Sequence, residues 1–194
     1  MKLTHKKTLA WAAAMAFVMA APLAQANQVL NGGFESGDFA GWTQSGDPAD
    51  FVAVDGFAAH SGNSGAAFGS TDPSGISQSF ATVAGQSYTV DFWLMLQDSA
   101  QPNAFSWSWN GAAQEPNLSN VAGFGFQEFS FTMTAAGTSS SLAFNFLNPQ
   151  SYWLIDDISV NASVAAVPEP ETYALMGAGL MLVAGMVHRR RKAG

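Results

Sequence analysis

The chain has 194 residues, 48% hydrophobic and only 11% charged, with no cysteine, which excludes a disulfide framework, thiolate metal sites and cysteine catalysis. All seven Lys and Arg lie at the ends (Lys2, Lys6, Lys7, Arg189, Arg190, Arg191 and Lys192), while only two of fourteen acids, Glu169 and Glu171, lie outside residues 27–167. Residues 27–167 thus hold twelve acids and no base, which excludes phosphate-backbone binding, because no cation remains to displace counterions from nucleic acid. In chain order, a basic start at Met1–Lys7 precedes an apolar stretch from Leu9 to about Ala21. Pro22-Leu23-Ala24-Gln25-Ala26 then supplies the small residues at which signal peptidase cuts. This predicts a cleaved secretory signal peptide over residues 1–26, with the mature chain starting at Asn27.

Residues 27–162 show no sustained helical period; Gly and other turn formers recur about every ten residues instead. Strands are predicted at Asp50–Val54, Ala66–Gly69, Ile76–Val83, Ser87–Gln97, Ala104–Asn110, Phe124–Thr134, Ser141–Leu147 and Tyr152–Val160. Ala84-Gly85-Gln86 and Ala136-Gly137-Thr138 read as short turns, and Ser99–Asn103 as the main loop. Eight or more strands in a segment of this length imply an all-β fold, a two-sheet antiparallel sandwich or jelly roll. Alternation places Tyr88, Val90, Phe92, Leu94 and Leu96 in the core, with Asp91, Trp93 and Gln97 on the opposite, half-solvated face. Leu142, Phe144 and Phe146 alternate with Ala143, Asn145 and Leu147. In Phe124–Thr134 the period shifts, which predicts a β-bulge near Gln127–Glu128.

Past residue 162, a linker over 163–171 carries Val167-Pro168-Glu169-Pro170-Glu171, and sixteen uncharged residues, Thr172–Val187, follow. As a helix those sixteen reach ~24 Å, short of a ~30 Å hydrocarbon core, and Gly177, Gly179 and Gly185 weaken them further. His188-Arg189-Arg190-Arg191-Lys192 then forms a basic stop that stays cytoplasmic, with residues 188–194 as the tail. The expectation is a single, marginal C-terminal transmembrane helix that anchors the chain transiently.

This order of Val167-Pro168-Glu169-Pro170, helix and Arg-rich end resembles the PEP-CTERM sorting signal over about Val167–Lys192. The resemblance implies processing by an exosortase, in Gram-negative bacteria that make extracellular polysaccharide. It also implies export across the inner membrane, and a final place on the cell surface, outer membrane or extracellular matrix.

The middle domain carries three landmarks: Asn31-Gly32-Gly33-Phe34-Glu35 with Gly41-Trp42, Ser106-Trp107-Ser108-Trp109-Asn110-Gly111, and Trp153–Val160 with Asp156-Asp157. Together they resemble galactose-binding-like jelly rolls, notably the carbohydrate-binding modules of the family 4, 9 and 22 type.

Asp156 falls in phase with Leu154, Ile158 and Val160, all inward by alternation, whereas Trp153, Ile155 and a solvated Asp157 point outward. An inward carboxylate is costly unless paired or metal-bound, and the domain has no Lys or Arg to pair it. A structural Ca²⁺ suits such an acidic domain. The resemblance implies that Ca²⁺ ties the first loop to the last strand through Glu35 and Asp156, with carbonyls near Asn31 and Ser61–Gly62. The alternative is that Asp156 caps backbone N–H groups. For a glycan, Trp93, Asp91 and Gln97, with Asn145 adjacent, combine one ring with hydrogen-bonding groups; an ordinary half-exposed sheet face is the alternative. The row Phe105, Trp107 and Trp109 is either core or a stacking platform, and Trp42 and Trp153 are placed at the ends of the sandwich. No catalytic residue is nominated: His60 is the one His of the domain, and no base orients a carboxylate pair. The sequence thus points to a non-catalytic, exported sandwich for adhesion or glycan binding. The alternatives are a purely structural matrix or biofilm protein, or a glycoside hydrolase.

Overall fold

The computed structural model describes residues 26–46 and 51–163, with residues 175–181, 183 and 188 of the tail. Ten strands form the body: β1 (Thr43–Ser45), β2 (Val52–Asp55), β3 (Gly65–Phe68), β4 (Ser74–Ala81), β5 (Ser87–Leu96), β6 (Ala104–Trp109), β7 (Ala112–Ser119), β8 (Phe124–Thr134), β9 (Ser139–Leu147) and β10 (Trp153–Ala162). They make two five-stranded antiparallel sheets, β1-β4-β9-β6-β7 and β2-β3-β10-β5-β8, here called the first and second sheet. The expected all-β sandwich is the observed fold. The signal peptide, the linker and most of the tail lie outside the described residues, and no helix among the described residues is long and apolar enough to cross a membrane.

The inward rows are those that alternation selects. Tyr88, Val90, Phe92, Leu94 and Leu96 of β5 face Leu142, Phe144 and Phe146 of β9, and all are buried. Phe105, Trp107 and Trp109 join them, so this row is core and not a platform. Phe92 sits at the centre, edge-on to Phe144 at 5.0 Å and stacked on Phe129 at 5.4 Å. Trp42 and Trp153 are buried within the core; their indole N–H groups donate to the carbonyls of Asn31 (3.1 Å) and Leu147 (3.2 Å).

Three differences from the sequence reading matter for function. Strands β1 and β7 had no signal, because an edge strand needs only backbone pairing, and Pro116 sits where a central strand excludes it. The β8 bulge lies nearer the strand start than Gln127–Glu128. Leu94 pairs with Gln127 but Leu96 with Phe124, so the extra residue falls between, turning Phe126 away from the core that holds Phe124.

The third difference is in β10, where Asp156 pairs with Trp93 but Ser159 with Asp91, leaving one extra residue. Asp157 takes it, with φ of 50°, in the left-handed region. The phase before the bulge is therefore the reverse of the expected one. Trp153 and Ile155 enter the main core, while Leu154 and Asp156 face the outer side of the second sheet. Both are nevertheless buried, because the segment joining β2 to β3 folds over them.

Truncating the central ring tests this packing. Phe92→Ala is expected to cost about 3–5 kcal/mol in urea unfolding, since the surrounding rings cannot close the cavity.

Candidate functional site

The covering segment begins with a single 3₁₀ turn, Gly56–Ala58, started by Asp55, whose carboxylate accepts the Phe57 N–H at 3.1 Å. Ala58 then packs against Ala67 and Leu154 as a small second core, and the chain runs on over the sheet to Ser64.

What holds this segment is carboxylate chemistry. Asp156 Oδ2 accepts the backbone N–H of His60 (2.8 Å) and of Ser61 (3.1 Å), and Oδ1 accepts the N–H of Asp157 (2.7 Å). The Asp157 carboxylate meets His60 Nδ1 and accepts the Ser61 hydroxyl, both at 2.7 Å, so this residue is engaged, not simply solvated. Glu35 reaches in from the first loop and accepts the N–H groups of Asn63 (2.8 Å) and Ser64 (3.0 Å).

These environments drive the two acids in opposite directions. Burial pushes the Asp156 pKa above its usual value, aided by the nearby Asp157 charge, and the three N–H donors offset this only in part. Glu35 is exposed, and the N–H groups of Asn63 and Ser64 hold its pKa down.

Gly32 links the first loop to the bulge: its carbonyl accepts the Ile158 N–H at 2.9 Å, and a Cβ at Gly32 would overlap the Ile158 carbonyl. That close approach explains the first glycine of the opening motif. A Cβ at the neighbouring Gly33 would lie 3.8 Å from Asp156 Oδ1, 3.7 Å from Asp157 Oδ1 and 3.9 Å from Glu35 Cγ. The Glu35 stem and the Asp156 carboxylate thus both flank Gly33, while the Glu35 carboxylate itself lies against Gly62, Asn63 and Ser64.

Their fit to a hard cation can be read from the free lone pairs. Asp156 Oδ2 and Glu35 Oε1 each take two N–H donors and are filled. Asp156 Oδ1 and Glu35 Oε2 each take one and keep a free lone pair. Among the described residues no three acid or His side chains converge as a metal cluster. A Ca²⁺ here would thus be held by these two carboxylate oxygens with main-chain oxygens, which suits its preference for oxygen ligands. The alternative reading of Asp156, as an acceptor of backbone N–H groups, describes the geometry that is present.

The nominated glycan residues do not form one site. Asp91 accepts the hydroxyls of Ser130 (2.6 Å) and Ser159 (3.3 Å), spanning β8, β5 and β10. Trp93 is half-buried, and the His60 ring stacks on it at 3.8 Å with an interplanar angle of 11°, occupying the face expected to take a sugar. Phe126 meets the same imidazole edge-on at 5.2 Å. Gln97 is exposed just past the end of β5. Asn145 is not adjacent: β9 belongs to the first sheet, and Asn145 points out of the opposite side of the sandwich. Alternation fixes which side of a strand a residue takes, not which sheet the strand joins. Sequence reading also missed His60, Asn63 and Ser64, whose role depends on a loop crossing the sheet.

On the outer side of the first sheet, the register aligns Ser45, Gly75, Asn145 and Ser106 in one row and Thr43, Ser77, Ala143 and Ser108 in the next. Of the five strands only β7 carries an acid, Glu115.

Residues 166–192 match the PEP-CTERM protein-sorting motif. No curated protein matches the chain. Among solved structures, the sandwich is similar to the TmCBM61 module in complex with beta-1,4-galactotriose, with 20% identity over 71% of this chain and 99% of that one, and a TM-score of 0.53. It is also similar to a xylan-binding domain of carbohydrate-binding family 22 (13% identity, 73% and 99% coverage, TM-score 0.52). A third is the K3 cleaved adhesin domain of Lys-gingipain from Porphyromonas gingivalis W83 (16% identity, 70% and 98% coverage, TM-score 0.50). At these identities the likeness shows the fold, a jelly-roll sandwich similar to those of carbohydrate-binding modules, and residues 166–192 behind it match the sorting motif.

Two measurements check the Asp156 knot. Asp156→Ala leaves three backbone N–H groups without an acceptor and is expected to cost about 3 kcal/mol or more in urea unfolding. In chelator, the raised pKa means the folded state holds the Asp156 proton more tightly than the unfolded chain. This group's contribution is therefore full at low pH and is lost as pH rises from 3.8 through its folded value. Glu35 acts oppositely, stabilising above 4.5 and losing that contribution as pH falls. Unfolding of Asp156→Asn across pH 3–7 should lack the first slope and keep the second.

Proposed function

We propose that this chain is an exported surface or extracellular-matrix protein whose sandwich binds extracellular polysaccharide without catalysis. The reading rests on one observation, the PEP-CTERM tail directly behind a carbohydrate-module jelly roll. In this reading signal peptidase removes residues 1–26. The segment 172–187 anchors the chain transiently, and exosortase acts near Val167-Pro168-Glu169-Pro170 with Arg189, Arg190, Arg191 and Lys192 as the cytoplasmic stop.

The glycan contact is assigned to the outer side of the first sheet. Hydroxyl and amide groups there, centred on Asn145, Ser77 and Ser106, can hydrogen-bond a neutral polysaccharide across a surface almost free of charge. The second sheet supports this less well, because His60 covers Trp93 and acids line the remainder. A purely structural role in the matrix is the competing reading. A glycan array with Ca²⁺ present separates them: binding should appear and weaken roughly fivefold in Asn145→Ala, the worth of one hydrogen bond. No binding to any neutral glycan would favour the structural role.

A structural Ca²⁺ between Glu35 and Asp156 belongs to the same proposal. Excess Ca²⁺ should raise the melting temperature of the domain by about 5 °C beyond sodium chloride at matched ionic strength, and Asp156→Ala should abolish that increment. For sorting, Pro168→Ala, Glu169→Ala and Pro170→Ala combined should leave an uncleaved, membrane-retained form on a blot. Equal maturation of mutant and wild type would remove exosortase from the reading.

A further inference from the structure

The negative charge is unevenly placed on the sandwich. One end is built from Asn27–Gln28, Ala81–Ser87, Asn110–Ala113, Thr134–Ser139 and Asn161–Ser163, and none of their side chains is charged, the α-amino group that Asn27 gains on removal of residues 1–26 being a cation and not an acid. The register brings them together: Ala81 lies opposite Ser139, Ser87 opposite Thr134, Trp109 opposite Ala112, and Ala162 opposite Tyr88. The Gln28 N–H closes the group on the Val160 carbonyl at 2.9 Å. Every acid among the described residues lies elsewhere, along the flanks or, like Asp72 and Asp98, at the opposite end. Asp47 and Asp50 are outside the described residues. Both neighbours of that gap belong to the opposite end: Ser45 pairs with Gly75, and the Phe51 carbonyl accepts the Gly69 N–H.

The chain leaves the sandwich through this uncharged end. Ser163 donates its N–H to the Ser87 carbonyl at 2.7 Å, and its own carbonyl accepts Gln86 Nε2 at 2.7 Å. Pro168 follows five residues later, so even a fully extended chain keeps it within roughly 18 Å of Ser163. The anchored segment begins at residue 172, nine residues after Ser163, so even a fully extended tether is roughly 32 Å long, and in a body with a radius of gyration of roughly 14 Å the end that carries Ser163 is the part the tether keeps nearest that plane. The surface held towards that plane carries Val83, 66% exposed at the tip of its turn, with exposed Ala84, Gly85 and Ala136 beside it. Behind Val83 lies an open cavity of about 410 Å³.

We infer that this uncharged end is a membrane-facing surface, which rests on an anionic bilayer while the tail is anchored. The tether keeps the domain near the membrane, and where the leaflet it meets holds anionic lipid, twelve carboxylates with no Lys or Arg are repelled unless they face away. An acid-free end lets the cleavage motif reach a site at membrane level while the domain is already folded. This inference rests on the sorting reading above.

The test uses the full chain in cells that process it, with pulse-chase blots of precursor and mature forms. Val83→Glu with Ala136→Glu puts two carboxylates on the surface and should slow maturation roughly tenfold or more, at about fivefold per charge near lipid. Ala122→Glu, at the opposite end, should mature at the wild-type rate. Val83→Gln with Ala136→Gln should also mature normally, since charge and not shape is at issue. Ten Gly-Ser residues inserted after Ser163 should restore maturation of the double Glu variant. Wild-type rates in the double Glu variant, no rescue by the longer tether, or equal slowing by the Gln pair or by Ala122→Glu would each overturn the inference. Failure of the wild type itself to mature would remove the sorting reading, and this inference with it.

Discussion

Asp156 is a fully buried carboxylate in a domain that contains no Lys or Arg. Burying an anion is unfavourable unless something compensates, and here three backbone N–H groups do so. Those donors belong to the loop over the second sheet and to the bulge beneath it, so one side chain fixes both. With the bulge set, Asp157 turns towards His60 and Ser61, and Ile158 N–H reaches Gly32. With the loop set, the His60 ring lands on Trp93, and Asn63 and Ser64 present their N–H groups to Glu35. The first loop, the covering loop and the last strand are thus joined through carboxylates that a cation-free domain satisfies by backbone donors.

The same charge imbalance shapes the exterior. Twelve acids without a Lys or Arg repel one another, and they are not evenly distributed. The second sheet carries Asp55, Asp91, Glu128, Asp156 and Asp157, whereas the first has Glu115 alone. The end from which the tail departs has none. The molecule therefore has two neutral surfaces of different kinds. One is a flat sheet face of hydroxyl, amide and methyl groups, and the other is a loop-built end that the tether keeps near the tail.

Much of the fold is legible in the sequence because β5, β6 and β9 alternate strictly over their whole length. What was hidden depends on neighbours. β1 and β7 are edge strands with polar or irregular sequences; backbone ladders define them, and no pattern of side chains is needed. The phase of β10 was inverted because one residue, Asp157, adopts a left-handed conformation in the middle of the strand. The signal for it was the pair Asp156-Asp157 in an otherwise apolar run, read as one inward and one outward acid. Asp156 was singled out by an alternation whose phase the bulge inverts and Glu35 was nominated through the resemblance, whereas His60, Asn63 and Ser64 carry no local signature. Asn145 and Trp93 each have the exposure expected of them, yet they lie on opposite sides of the sandwich.

That separation is why the proposed glycan contact is placed on one sheet and not on both. An aromatic ring binds a sugar through an open face, and the face of Trp93 that looks outward is filled by an imidazole held from behind by Asp157. Freeing it would break the His60–Asp157 contact and expose Phe126 as well. A ligand on the Trp93 face of the second sheet would therefore have to displace the His60 ring, whereas one on the first sheet meets strands whose outward groups are free of that cover. The chemistry available there is hydrogen bonding without ring stacking. It suits a long, neutral polymer contacted weakly at many points, as in a matrix, better than one sugar held tightly in a pocket.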